Sequence, residues 1–380
     1  LAKAKAAKAG VVVANSAEHC DDDSFAVQGA KIGSTLRIRL PDRALVTDGA
    51  ALQVQDDQEQ FTTLTVSSQK HIGVNFTTAE LTMQLDDFAE RVLKPRISQL
   101  ASSIDADVAN SFKNVYQSVG TPGTTPGTSL VLLQAQQKLN EAAAVMPAAN
   151  AALVEGMKGL FNPTSTISRQ FKNGMMGEGI LGLDEVNMSQ SIKQFTTGSR
   201  TGTHTVTTTV SSQGATTIAI TGTGSQVIKQ GDVFTIAGVY AVNPQTREST
   251  GSLQQFVATA DATASGGAYT VSVSPAIYTS SQALATVDSF PQASAAVTFL
   301  GSASTQYPQN LVYHRDAISF ATADLLMPQG VDMASRQVHN GISMRIVRQY
   351  DINNDRLPCR IDVLYGFSVI RPQMAVRLWG

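Results

Sequence analysis

An α+β fold interrupted by a small all-β block is predicted by three features of the sequence. Apolar residues recur by threes and fours from Leu85 through Leu93, Ile97, Leu100, Ile104, Val108, Phe112 and Val115, the period of a long helix. From 201 to 313 the charged residues shrink to Lys229, Asp232, Arg247, Glu248, Asp261 and Asp288, while Thr, Ser, Gly and Val dominate. Beyond 306 a mixed, charged composition returns with the strand-like runs "SMRIVRQY" and "RIDVLYGF", so the block interrupts a larger domain.

Taken in order, residues 1–33 predict a short alanine-rich helix ended by Gly10 and then the acidic, irregular run "AEHCDDDSFAVQGAK", together an arm rather than a core. "STLRIRL", "QFTTLTV" and "KHIGVNF" alternate apolar with polar residues and predict a long hairpin. Its tip around "TDGAALQVQDDQEQ" has too few large apolar residues to stand alone. The helix that follows is expected from Pro95 to Ser118, with proline in its first turn, where the missing N–H costs nothing. "GTPGTTPGT" ends it, and a second helical region runs from the N-cap Thr128 through "LVLLQAQQKLNEAAA" and on through "ANAALVEGMKGLF". Inside the charge-poor block "HTVTTTV", "TTIAIT", "DVFTIAGV", "QQFVATA", "AYTVSVS" and "AAVTFL" predict the strands of a small antiparallel barrel or sandwich.

Composition narrows the function. A net charge of -2 offers no basic field for nucleic acid or an anionic membrane, and no run is long and apolar enough for a membrane span. Cys20 and Cys359 are too few and too far apart for a disulfide framework and fit a reducing compartment.

No motif carries an enzyme's chemistry. "GEGILG" has dinucleotide spacing, but no apolar strand precedes it and no ribose-binding acid follows about 20 residues later, so Gly177, Gly179 and Gly182 read as tight turns or close backbone approaches. "EHCDDD" lacks a second ligand pair for a metal, and "HRDAISF" lacks the kinase Asn, since position 321 is alanine. Arg345, Arg348, Arg356, Arg360, Arg371 and Arg377 alternate with Asp351, Asp355 and Asp362, which suits ion pairs within or between subunits. The expectation is a non-enzyme with no cofactor and no metal.

"LDDFAERVLKPRISQLASSIDADV", "GDVFTIAGVYAVNPQTREST", "GISMRIVRQYDINNDRLPCRIDVLYGF" and "RPQMAVRLWG" resemble the major capsid proteins of tailed bacteriophages with the Hong Kong 97-like fold. They resemble in particular the coat-protein family of short-tailed Salmonella phages, which carries an inserted domain. The resemblance implies an N-terminal arm (1–33), an extended loop (34–75), a peripheral domain with its spine helix (76–125) and the first part of an axial domain (126–195). It further implies an inserted β-barrel domain (196–305) and the second part of the axial domain returning to the peripheral one (306–380). The implied function is an icosahedral shell of hexamers and pentamers, assembled in the host cytoplasm with scaffolding and portal proteins. A decoration protein and packaged double-stranded DNA, contacted non-specifically on the inner face, complete the implied partners. Arg247 and Glu248 in "NPQTRESTGS", with Asp56 and Asp57 near the hairpin tip, are the candidate subunit contacts. Some relatives crosslink Lys to Asn, but residues 44–69 contain no lysine, so noncovalent locking is expected. The competing reading is a Thr-rich tail or surface protein whose β block binds glycans.

Overall fold

The computed structural model describes residues 18–19, 35–41, 43–47, 49–50, 52, 54, 60–75, 93–126, 130–142, 149–153, 175–180, 183–189, 191–222, 224–339 and 341–380. These fall into two compact units: 1–38, 61–108 and 318–370 make the first, and 39–60, 109–317 and 371–380 the second.

In the first unit the long strand Cys359–Val369 is the hub of a sheet. Ile318–Ala323, Ile342–Arg348 and Ser68–Val74 all pair with it antiparallel. Met333–His339 adds to Ile342–Arg348, and Glu18–His19 adds in parallel to Ile318–Ala323. A two-residue strand thus stands in the arm where the acidic run reads as irregular; Cys20 and the rest of the arm lie outside the described residues. The predicted hairpin is divided. Thr35–Arg39 pairs with Phe61–Thr65, whereas Ser68–Val74 turns away to the hub strand. A Cβ on Gly366 would sit 2.2 Å from the Thr65 carbonyl, so only glycine lets the two strands approach this closely.

Helix α1, Lys94–Ala109, buries Leu100, Ile104 and Val108 on one stripe and carries Pro95 in its first turn. It is shorter than predicted. From Asn110 to Asn114 the chain tightens into a 3-10 helix, and Val115 is already extended. The cause lies downstream: Ser118–Val119 pairs in parallel with Arg377–Leu378, and a helical chain could not supply that edge. The stretch before 93, including "LDDFAERV", lies outside the described residues.

The second unit holds a seven-stranded sheet and a barrel. The sheet contains Ser118–Val119, Ala375–Trp379, Gln306–His314, Ala149–Leu153, Leu183–Met188 and Met175–Ile180, with Gln194–Thr196 also on Gln306–His314. Helix α2, Leu130–Glu141, buries Leu132, Ala135 and Leu139. The predicted continuation of helix through "ANAAL" is wrong. Ala149–Leu153 is a strand between Gln306–His314 and Leu183–Met188, because two ladders of backbone hydrogen bonds outweigh alanine's helix preference. The remainder of that predicted helix, 154–161, lies outside the described residues. The turn reading is corrected at two of the glycines: Gly177 and Gly179 sit within the strand Met175–Ile180, at an irregular register with Leu183–Met188. Gly182 lies outside the described residues, and the element that follows is a strand, so no phosphate-binding helix opens there.

The charge-poor block closes into a barrel. Its strands run His204–Thr205, Ala296–Phe299, Val233–Val242, Ser249–Ala258, Ala268–Ile277 and Ala215–Thr221 around the sheet. A bridge from Val206 to Ile220 and the Thr207 N–H to Ala219 carbonyl bond of 2.8 Å join the last strand to the first. The interior is apolar, with Phe234, Phe256, Tyr269, Ile218, Ile220 and Val271 among the buried side chains. Alternation places them there: Phe234 faces Phe256 and Phe299 in register. The chain enters and leaves side by side, Thr197 N–H on the Thr305 carbonyl and Ser304 N–H on the Gly198 carbonyl.

Candidate assembly surface and the seam beneath the barrel

A subunit that binds others must carry apolar surface it does not use itself. The described part of the segment 40–60 has no strand of its own, and its base is closed by the Leu40 N–H to Gln60 carbonyl bond of 2.9 Å. On it Val46, Leu52 and Val54 are 80%, 89% and 84% exposed. Such exposure on neighbouring positions is the mark of an interface rather than of scatter. Tyr240 and Leu253, opposite each other on the barrel's outer face, are a second exposed apolar pair. In the first unit Tyr350 and Ile352 stand on the turn before the hub strand.

Of the four predicted contact residues, Arg247 and Glu248 lie in the turn between Val233–Val242 and Ser249–Ala258. Asn243 shapes that turn: its Oδ1 accepts the N–H groups of Gln245 and Thr246. Arg247 takes a φ of +59° and donates from Nη2 to the Val46 carbonyl at 3.2 Å. The barrel turn therefore touches the apolar segment of its own chain, and Glu248 remains on the exposed side. Asp56 and Asp57 lie outside the described residues.

The arginine-rich C-terminal run divides by depth. Arg345 and Arg360 both bind Asp362, at 2.7 and 2.5 Å, and Arg348 binds Asp332 at 2.8 Å. Arg371 approaches Asp316, whose backbone N–H is accepted by His314 Nδ1 at 3.2 Å. These pairs are intramolecular: the Asp362 pairs lie within and between neighbouring strands, and Arg348 ties its strand to the loop at Asp332. Lys70 similarly ties the strand Ser68–Val74 to α1, with Asp107 at 2.6 Å, and the Tyr365 hydroxyl donates to the same carboxylate. Burial and that carboxylate push the Tyr365 phenol up, so it stays a donor.

Arg377 was not singled out for depth, and it is the exception. It is fully buried and donates through both Nη1 and Nη2 to the Gly231 carbonyl, each at 2.8 Å. Its guanidinium lies 5.3 Å from the Phe112 ring centre and 5.9 Å from that of Phe195. Gly231 has φ +99°, and a Cβ there would meet Phe195 at 3.1 Å, so the carbonyl is presented by a position only glycine fills easily. Next to it Asp232 accepts from the Lys229 and Gly198 N–H groups and pairs with Arg200 at 3.2 Å. Arg200 in turn donates to the Leu300 carbonyl and covers the Phe299 ring. On the neighbouring strand, at the position paired with Arg377, a second contact of this kind occurs. The Gln255 side-chain amide accepts the Ser118 N–H at 2.7 Å and donates to the Ser118 carbonyl at 3.0 Å, as a neighbouring strand would. Tyr116, Val233 and Val257 pack together beside it. A lone arginine in the apolar run "AVRLW" was the available signal; its partner, a backbone carbonyl, left none.

Among the described residues no group of three His, Cys, Asp or Glu side chains converges as metal ligands, and Cys359 is a buried free thiol. What the arrangement offers is exposed apolar segments on a rigidly braced scaffold, the equipment of a self-associating structural protein. The chain belongs to the P22 coat protein family: residues 29–380 match the family described as "P22 coat protein - gene protein 5". It is 23% identical over 337 residues to the major capsid protein of Acyrthosiphon pisum secondary endosymbiont phage 1, covering 81% of this chain and 79% of that one. A solved structure from Mycobacterium phage Che8 is similar at a TM-score of 0.50 and 11% identity, over 97% of this chain and 90% of that chain. The CUS-3 coat protein I-domain is similar at 31% identity and a TM-score of 0.21, over 27% of this chain and 99% of that chain.

Proposed function

We propose that this phage major capsid protein builds an icosahedral shell on a Hong Kong 97-like plan, with the closed barrel as an inserted domain between 196 and 305. The family match across residues 29–380 carries this reading. It assigns 1–33 to an arm, 34–75 to an extended loop, 76–125 to a peripheral domain, and 126–195 with 306–380 to an axial domain. Val46, Leu52 and Val54, exposed on the loop, are the side chains that a neighbouring subunit would bury. Glu248 and Arg247, with Asp56 and Asp57, are proposed subunit contacts. Scaffolding, portal and decoration proteins are the proposed partners, with double-stranded DNA held non-specifically inside and assembly in the host cytoplasm. Locking is noncovalent: 44–69 lacks lysine, and Lys70 is already engaged by Asp107 and Ser103.

Electron microscopy of the chain expressed with the neighbouring viral genes tests the reading. Shells, or hexamer and pentamer rings, are expected; persistent monomers that bind glycans would overturn it. The glycan reading is disfavoured by family membership and by a barrel whose interior is filled with apolar side chains. A Leu52→Ser, Val54→Ser variant should keep the monomer's melting temperature, since surface changes rarely exceed about 0.5 kcal/mol. Its assembled fraction should fall sharply by sedimentation.

A further inference from the structure

The barrel and the seven-stranded sheet meet at a seam unlike either of their interiors. The barrel's own cluster is apolar and closed on itself. The seam instead holds two buried guanidiniums, Arg200 and Arg377, against one buried carboxylate, Asp232, leaving a positive charge in excess. Around it Ser111 Oγ, Gln117 Oε1, Arg377 Nε, both amide atoms of Gln309 and Trp379 Nε1 are buried with no hydrogen-bond partner among the described residues. These groups adjoin one another along the chain's pairing: Gln309 faces Trp379, Arg377 faces Ser118, and the Gln117 carbonyl accepts the Arg377 N–H.

Burying a polar atom without a partner is unfavourable, and a charge in excess adds to that. The cost falls mainly on the seam; in the barrel only His204 Nε2 is in the same position among the described residues. Regions that open first in a folded protein are those with little net stabilisation, even where a few contacts are specific. The side chains that grip backbone here are two and adjacent, beside the small apolar cluster of Tyr116, Val233 and Val257 and the Gln230 Nε2 bond to Asn114 Oδ1. We propose that Arg377 on the Gly231 carbonyl and Gln255 on Ser118 form a latch, which opens as a unit and frees the folded barrel from the folded sheet. Closed, it fixes one setting of the barrel; open, the barrel can change that setting without unfolding. This inference stands on the chain's own geometry and does not depend on shell formation.

Native-state hydrogen exchange of the full chain tests it. In the unaltered protein the Ser118 amide should exchange through an opening that leaves Val233–Val242 and Ala268–Ile277 protected. Gln255→Met, which removes both side-chain bonds at similar size, should speed exchange at Ser118 by about tenfold or more, with those strands unchanged. Arg377→Lys keeps the charge but loses the fork on Gly231 and should do the same. If Ser118 exchanges only together with the barrel strands in the unaltered protein, the seam belongs to a single cooperative core and the latch is refuted. No change at Ser118 in Gln255→Met refutes it equally.

Discussion

Asp232 and Asp362 are both 0% exposed, both bonded to arginine, and pushed in opposite directions. At each, burial raises the carboxyl pKa. At Asp362 the charged hydrogen bonds from Arg345 and Arg360 more than offset it, and the group is held below the usual range. At Asp232 burial prevails over Arg200 and over the N–H groups of Lys229 and Gly198, and the group is held above it. The difference lies in the contacts: Asp362 accepts hydrogen bonds from two arginine side chains, whereas Asp232 has the charge of Arg200 and two backbone N–H groups. Arg360 is 49% exposed, so its charge stays hydrated while it serves Asp362, whereas the Arg200 side chain is 2% exposed. A buried pair whose cation keeps its water braces a fold cheaply; one that is wholly buried carries the desolvation of both partners.

Removing the carboxylates should widen that contrast. Asp232→Asn should cost under about 1 kcal/mol, because burial already makes the charged carboxyl a net cost and the amide oxygen can still accept from the Lys229 and Gly198 N–H groups. Urea unfolding followed by fluorescence is well placed to measure this, because Trp379, the chain's single tryptophan, lies on the strand of Arg377 and packs edge-on against Tyr307. Asp362→Asn should cost more, about 1–3 kcal/mol, since it removes the charge that accepts hydrogen bonds from Arg345 and Arg360. Labelling of the buried Cys359 thiol, three residues away on the same strand, reports that loss in a Cys20→Ser background. Equal costs at the two sites would remove the distinction between the two sets of contacts.

The same contrast separates what could be read in the sequence from what could not. The six barrel strands were legible because alternation and the absence of charge are local properties: "TTIAIT" and "AYTVSVS" each state which side chains face inward. The stripe Leu100, Ile104 and Val108 was legible for the same reason. The point where α1 stops was not, because it is set by pairing of Ser118 with Arg377 far along the chain. Nor was the strand at Ala149–Leu153, whose residues favour helix until two neighbouring strands claim their backbone. The seam was hidden most completely. Arg377 recognises a carbonyl 146 residues away, and Gln255 imitates a strand edge; neither depends on the identity of the residue it grips.

Proton binding gives the finest resolution of the two aspartates. A carboxyl held low in the folded state stabilises it fully above the unfolded pKa, and that contribution disappears as pH falls through the folded value. Asp362 should therefore lose its advantage over Asp362→Asn below about pH 4, where the unfolded chain begins to take up the proton. A carboxyl held high behaves in reverse: the folded state binds the proton more tightly, so acidification relieves a cost instead of removing a support. The effect of Asp232 on Trp379 unfolding, taken as the difference between the unaltered chain and Asp232→Asn, should shift in favour of the unaltered chain as pH falls from 6 to 4. Comparing each aspartate with its own asparagine variant cancels every other titrating group, and 4,4′-dithiodipyridine labels Cys359 in the same acid range. Two curves that bend the same way would mean that Arg200 compensates Asp232 as fully as Arg345 and Arg360 compensate Asp362, and that the seam bears no excess cost.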